Sequence, residues 1–481
     1  MKMILKILSI RPFVWILSFI LLSGLVFGIT IKKENPNKDK LLLEIITYVL
    51  DRGHFDPKDI NDLFSENVYM SYLENIDGQH RFFLKSDIRA FNAYRYRIDD
   101  EIKNTQVEFF NLSFGKLMER MSQVEGFYKS LLEIPFDFSI KDEINLDFKK
   151  ASYAINLTEL RSIWRKRLKL NALERFTSKK NEEVQKLEKD VNYVMKTDSE
   201  LEEKARDIIL ENMDAFFERY NDLNRKDWFS IYINSIVLQF DPHTSYLAPS
   251  DKDRFDASMS GEFEGIGARL QKRNQEVKIV EVISGGPVWR DELLEIGDII
   301  LKVAQPNKEA VDISGMRLDD SIKLIKGPKG TQVILTIKRV DGAIEDVKVT
   351  RDVVVLEETY ARSSLIKDDK ESFGLIELPK FYINFQDYNQ RNAATDVKKE
   401  LEQLKQENVK GIILDLRNNG GGSLKTVVDM AGYFIKEGPI VQVKSTGGKK
   451  EVLKDIDPSI VWDGPLVILV NEFSASASEI I

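Results

Sequence analysis

The chain of 481 residues contains no cysteine. Disulfides, thiolate zinc sites, iron–sulfur clusters and a cysteine nucleophile are thereby excluded, and the cellular compartment must be read from another feature. Histidine is nearly as scarce. His54, His80 and His243 are the only three, and none stands in the H-E-x-x-H spacing that sets two imidazoles on one helix face, so neither a metal nor another cofactor is expected. With Gly 26 and Pro 13 there is too little of either for a low-complexity or collagen-like chain, and the protein is expected to bury real cores. An excess of basic charge is missing too. Lys and Arg number 70 against 78 Asp and Glu, a net −8 with the signs interspersed, so no surface for a phosphate backbone is advertised and nucleic acid is not an expected partner.

What is present begins at the N-terminus. Lys2, Lys6 and Arg11 precede residues 12–31, a run without one charge, and Lys32-Lys33 close it. A basic start, an apolar middle and small residues at Ser23, Gly24 and Gly28 fit a secretory signal, with Val26 and Gly28 as a cleavage pair. The same run reaches the ~20 residues that span hydrocarbon, so an uncleaved anchor fits equally. Either way the remainder is expected outside the cytoplasm.

The mature chain divides by pattern into three. Residues 32–250 read as helical, with long, charge-rich, glycine-poor segments. Thr197-Asp-Ser-Glu200 is a capping box, and behind it Leu201, Ala205, Ile208, Ile209, Met213, Phe216, Phe217 and Tyr220 recur at three and four. The charged stretch 179–190 reads as a solvated helix face. Residues 251–350 turn to short β-branched runs punctuated by glycine, with a helix near 317–325; Asp341-Gly342 between two such runs suits a two-residue hairpin. In residues 351–481 strands alternate with helices: strand 373–378, helix from about 388 to 406, strand 409–416, helix 423–434, strand 466–470. The expected class is α+β and multidomain, ending in an α/β layer.

Ligands of α/β layers collect where strands end. One such turn is Arg417-Asn-Asn-Gly-Gly-Gly-Ser423, whose glycines let backbone N–H groups approach a reacting atom, or simply make a flexible turn. It is not a phosphate loop, since no Gly-Lys-Ser/Thr follows. The other is Asn471-Glu-Phe-Ser-Ala-Ser-Ala-Ser-Glu479, three hydroxyls at a helix start where developing negative charge is favoured. Ser476 is central, and Ser476-Ala-Ser-Glu479 is also a plain capping box. A serine nucleophile needs a base: His243, in Asp241-Pro-His-Thr-Ser-Tyr246, or a lysine whose pKa burial depresses.

Together these motifs resemble a known family. Asp77-Gly-Gln-His-Arg-Phe-Phe-Leu84, Asp241-Pro-His-Thr-Ser-Tyr246, Gly261-Glu-Phe-Glu-Gly-Ile-Gly267, Gly297-Asp-Ile-Ile300, Ile325-Lys-Gly-Pro-Lys-Gly330, Leu378-Pro-Lys-Phe-Tyr382, Asp415-Leu-Arg-Asn-Asn-Gly-Gly-Gly422 and Phe473-Ser-Ala-Ser-Ala-Ser-Glu479 are similar to those of the C-terminal processing peptidases, tail-specific protease subgroup. The resemblance implies a serine endopeptidase on the periplasmic side of the inner membrane, secreted or anchored through residues 12–31. Its parts would be a helical N-terminal domain, a β-rich PDZ domain and a crotonase-like α/β protease core. It maps a Ser–Lys dyad's nucleophile onto Ser476. The oxyanion donors would be the amides of Ala477 and Gly421, with Gly420 and Gly422 as alternatives. The carboxylate loop of the PDZ domain falls on Gly265, Ile266 and Gly267, and the strand through Ala268 and Leu270 would pair with a peptide. Implied partners are proteins or peptides with free apolar C-termini, and an adaptor protein is a further candidate.

One element departs from the pattern. The family's lysine lies about 25 residues beyond its nucleophile, past Ile481, and neither Lys425 nor Lys444 takes that role by spacing. The expectation for these 481 residues alone is a protease core incomplete at its C-terminal side and little activity. The competing readings are a non-catalytic envelope PDZ binding protein and an acyl-thioester enzyme using the oxyanion loop alone, the latter disfavoured by the PDZ insertion and the exported N-terminus.

Overall fold

The computed structural model describes residues 36–481 except 149, 369 and 370; the uncharged run 12–31 lies outside them. Among the described residues no helix is long and apolar enough to cross a membrane.

As far as Ser260 the described chain is helical: α1 (Pro36–Gly53), α2 (Asp62–Asp77), α3 (Lys85–Phe91), α4 (Ile98–Lys103), α5 (Glu108–Leu132), α6 (Leu157–Lys189), α7 (Asp198–Asn221), α8 (Arg225–Val237) and α9 (Pro249–Ser260). Leu201, Ala205, Ile209, Met213 and Phe217 are the buried stripe of α7. Its start is closed as the capping box requires, Thr197 N–H donating to the Glu200 carboxylate at 2.8 Å. The core is unusually aromatic. Tyr72, Phe109, Phe110 and Tyr232 sit at its centre, with the Tyr72 and Tyr232 rings edge to face at 5.1 Å, an arrangement that complements the ring quadrupoles. The charged stretch at the end of α6 is not solvated throughout. Glu183 is buried because its carboxylate accepts from Lys196 N–H at 3.0 Å and from the Tyr193 hydroxyl at 2.8 Å, folding the following turn back onto the helix.

Gly261 ends α9 at φ 74°, and a Cβ there would stand 2.9 Å from the Tyr360 ring. Next come β1 (Glu262–Gly265), β2 (Ala268–Arg273), β3 (Glu276–Val282), α10 (Pro287–Arg290), β4 (Ile299–Ala304), β5 (Val311–Asp312), α11 (Leu318–Ile325), β6 (Gln332–Lys338), β7 (Ile344–Thr350) and β8 (Asp352–Val355). An antiparallel sheet runs β2-β3-β4-β6-β7 with β5 on β4, leaving β2 at an edge beside α11. Antiparallel pairing of β1 with β8 brings the two ends of the unit together, so it can be inserted without separating what flanks it. The β6–β7 turn is longer than the two-residue form expected. Arg339 N–H donates to Ala343 O at 2.8 Å and only Gly342 takes positive φ, 93°, the signature of a three-residue loop with a glycine bulge.

The last unit holds β9 (Arg362–Asp368), β10 (Glu371–Glu377), α12 (Ala393–Gln406), β11 (Ile412–Asp415), α13 (Leu424–Ala431), the hairpin β12 (Gly438–Lys444) and β13 (Lys450–Asp455), β14 (Leu466–Leu469) and α14 (Ala477–Ile480). Its sheet runs β14-β11-β10-β9; β10, β11 and β14 are parallel and β9 is antiparallel. Helix α12 starts five residues later than expected because Asn392 caps it, accepting from Thr395 N–H at 3.1 Å. Parallel strands place the loops after β11 and β14 on one edge of the sheet, and the candidate site is there.

Candidate active site

The two loops are laced together by asparagines. Asn418, at φ 63°, and Asn471 exchange bonds: Asn418 N–H donates to Asn471 Oδ1 at 2.8 Å and Asn471 Nδ2 to Asn418 Oδ1 at 2.9 Å. Asn419 is wholly buried. Its Nδ2 donates to Leu378 O at 2.8 Å and its Oδ1 accepts from Gly421 N–H at 2.9 Å, while its carbonyl accepts from Ala475 N–H at 3.1 Å and the Ser478 hydroxyl at 2.8 Å. One residue thus ties β10, the Gly triplet and the serine loop.

Of the three hydroxyls, two are consumed by this scaffold. Ser474 Oγ donates to Leu416 O at 2.8 Å and Ser478 Oγ to Asn419 O. Ser476 Oγ makes no hydrogen bond among the described residues, and Ser476 is exposed. Its backbone sits at φ 57°, ψ −115°, a conformation that ordinarily belongs to glycine and costs a serine ~1–3 kcal/mol. Such a turn between strand and helix thrusts the side chain out of the sheet edge. Glu479 steadies it, accepting from Ser476 N–H at 2.8 Å. Gly421 lies against it at φ 103°: a Cβ there would fall 2.7 Å from Ser476 Cβ and 3.1 Å from Ala477 N.

The amides of the triplet differ in their partners. The Gly421 amide is engaged by Asn419, whereas those of Gly420, Gly422 and Ala477 have no acceptor among the described residues. Gly422 is fixed by its neighbours, since a Cβ would be 2.3 Å from Phe381 O and Phe381 N–H donates to Gly421 O at 3.0 Å. A cavity of about 550 Å³ opens beside these loops, lined by Arg362, Glu377, Pro379, Asp415, Arg417 and Asn471 among others.

No side chain considered as a base is bonded to Ser476. His243 is exposed, and its N–H donates to Asp241 Oδ1 at 2.6 Å. Asp241 also accepts from the Thr244 hydroxyl and the His54 ring, which together hold its carboxyl well below the usual range. The motif is a loop staple. Lys425 Nζ sits 3.4 Å from the Tyr388 ring centroid and Lys444 Nζ 5.1 Å from that of Phe55. Lys380, beside the bridge to the triplet, donates to Ser258 Oγ at 2.7 Å, and burial lowers its pKa. Among the described residues no cluster of His, Asp and Glu is placed to hold a metal ion.

The second glycine loop lies between β1 and β2. Ile266 is buried, and Gly267, at φ 84°, packs so closely that a Cβ would stand 3.0 Å from Gly286 Cα. Gly265 closes β1 opposite Asp352. The amides of Ile266 and Gly267 have no acceptor among the described residues, and Ala268 and Leu270 follow on the edge strand, packed on the sheet's core. The unit docks on the helices through polar contacts: Lys272 to Asp222 at 2.6 Å, Gln275 N–H to Glu218 at 2.9 Å and Arg317 to Asp227 at 2.7 Å.

Comparison with known proteins identifies these parts. The tail specific protease N-terminal domain matches residues 46–250, the PDZ domain residues 256–338 and peptidase family S41 residues 372–481. A chain of helices, PDZ domain and S41 unit in that order belongs to the PDZ-containing C-terminal processing proteases. Within them it is similar to the tail-specific protease of Haemophilus influenzae, 31% identical over 92% of this chain and 60% of that protein. It is also similar to the carboxy-terminal processing protease CtpA of Bacillus subtilis, 32% identical over 50% of this chain and 47% of that one. The chain thus spans about half to three fifths of the length of these relatives. A solved PDZ domain of a carboxy-terminal protease from Vibrio cholerae, crystallised with a peptide, is 39% identical, covering 19% of this chain and 97% of that one, with a TM-score of 0.19.

Proposed function

We propose that this chain belongs to an exported serine endopeptidase that holds a substrate's free C-terminus in its PDZ domain and attacks an internal peptide bond with Ser476. The observation that carries the reading is the singling out of Ser476. It alone of the three serines keeps an unbonded hydroxyl, on a strained turn pressed against Gly421. In the proposed chemistry Ser476 Oγ adds to the scissile carbonyl, and the Ala477 amide with that of Gly420 or Gly422 takes the oxyanion. The proton goes to the lysine of a Ser–Lys dyad, which the family resemblance sets beyond Ile481. The exported location rests on residues 1–33, and a preference for apolar C-termini rests on the apolar wall that Leu270 adds to the edge strand.

The same geometry supports a second reading for these 481 residues. Among the described residues no basic side chain is bonded to Ser476, and the alternative reading is a non-catalytic PDZ binding protein of the envelope. One assay separates the two. Cleavage of an apolar-tailed protein is compared among the 481-residue chain, a chain continued through the lysine segment and its Ser476→Ala variant. The expected result is cleavage by the continued chain only, with losses of about a thousandfold or more in the other two. Equal cleavage by the Ser476→Ala variant would overturn the assignment of the nucleophile.

A further inference from the structure

Helix α1 is apolar on two sides. Leu43 and Leu50 point into the aromatic core. Leu41, Ile45, Tyr48 and Val49 point outward, each 51–65% exposed, and their spacing gathers them into one stripe. Phe55, just beyond the helix, is 50% exposed. Lys38 and Lys40 are exposed at the helix start. The acid between them, Asp39, is bound to Arg225 at 2.7 Å, Asp51 pairs with Arg52 at 3.3 Å, and Glu44 lies beside the stripe. The helix therefore combines an apolar outward stripe with a basic leading end, the composition of a helix that lies in a membrane interface.

The sequence ahead of α1 says which surface it meets. The uncharged run of residues 12–31 is separated from Pro36 by four residues, two of them Lys32 and Lys33, and four residues reach at most about 14 Å. A bilayer entered by residues 12–31 would lie within about a helix diameter of α1. We infer that α1 is an interfacial helix, laying Leu41, Ile45, Tyr48 and Val49 on an anionic lipid surface and holding the helical region flat against it. The inference rests on residues 12–31 being a retained membrane segment, and its test separates the two.

Because the chain has no cysteine, single labels can be placed without background. Spin labels are attached to the full 481-residue chain carrying Ile45→Cys, Tyr48→Cys or, as a control at a residue 68% exposed, Ile134→Cys. The chain is then mixed with vesicles of phosphatidylcholine containing one third phosphatidylglycerol. The expected result is at least a threefold loss of collision with a water-soluble nickel chelate and a matching gain with oxygen at 45 and 48, none at 134. Adding Leu41→Glu should restore nickel access at 45 while the protein still floats with the vesicles. Flotation with 45 and 48 open to nickel throughout would overturn the inference and leave the membrane segment standing. Failure to float would overturn both. Nickel protection before vesicles are added, with spin–spin broadening between labels, would show a second copy of the chain on the stripe and would also overturn it.

Discussion

Backbone N–H groups that no helix or strand uses meet opposite fates in two regions of this molecule. In the helical region they are answered by carboxylates of the same chain. Asp77, at the end of α2, accepts from Arg81 N–H at 2.6 Å and Phe83 N–H at 2.8 Å, and Glu101 accepts from Phe109 N–H at 3.0 Å at the start of α5. In the glycine loops at 265–267 and 420–422 the amides of Ile266, Gly267, Gly420 and Gly422 have no such acceptor among the described residues. The physics is common to both, an acceptor oxygen against backbone donors. A carboxylate built into the chain makes the arrangement structural. Under the proposed function, glycines that keep side chains away make it a place for a carboxylate or an oxyanion that arrives from outside.

The sharpest way to break this contrast is to destroy what keeps the core loop's donors aligned. Asn419→Ala would leave Leu378 O and Gly421 N–H without their partner in a fully buried position. A loss of about 2–4 kcal/mol in unfolding free energy is expected, with cleavage by the continued chain falling about a hundredfold or more. Chemical denaturation and a peptidase assay on one preparation check both. Normal activity at reduced stability would mean that Asn419 holds the fold but not the donors.

A smaller effect is expected at the PDZ loop. A peptide with a free apolar C-terminus should bind the full chain about 10–100 times more tightly than its amidated twin, about 1.4–2.7 kcal/mol. Gly267→Val should remove that difference, because its side chain meets Gly286 and Pro287 and its φ of 84° strains any Cβ. Titration calorimetry with the peptide pair is the measurement. Equal affinity for both forms in the unaltered chain would show that the loop does not read the carboxylate.

How much of this was legible beforehand follows the same division. The order of helices, β unit and α/β layer could be read because hydrophobic period changes from about four to two and then alternates, and the capping box at Thr197 marked its helix start. The serine at the turn was legible as a motif. The role of Asn419 was not, since two asparagines stand side by side and only the left-handed turn at Asn418 decides that the second faces inward. Nor was the partner of the Gly421 amide, because it depends on that inward oxygen. The hairpin β12–β13 shows little of itself in the sequence. Its alternation is real, but several of its residues are exposed and charged, and such a ribbon gives a weak signal. The burial of Glu183 was hidden in a run of charge, where no sequence rule tells which carboxylate the following turn will cover.

An effect of similar size, spread over a range of pH, tests the region whose donors are already answered. Burial pushes the Glu101 carboxyl up to about 7 from its ordinary 4.5, the Phe109 N–H opposing the shift. The folded form therefore holds its proton to about pH 7, while the unfolded form releases it near 4.5. Across that window the native state binds the extra proton, so stability is highest at or below about pH 4.5, falls as pH rises towards 7 and is level beyond. Burial pushes Asp77 the same way, also to about 7, so the unaltered chain carries both contributions. Glu101→Gln keeps an oxygen for Phe109 N–H and removes one titration. The difference between the two chains should change by on the order of 1–3 kcal/mol between pH 5 and pH 8, the variant gaining relative to the unaltered chain as pH rises. Urea unfolding of both across that range, followed by far-ultraviolet circular dichroism, reads it directly. Parallel curves would mean that Glu101 stays ionised in the fold, its N–H partner outweighing the cost of burial, and the contrast between answered and open donors would then extend to charge as well as geometry.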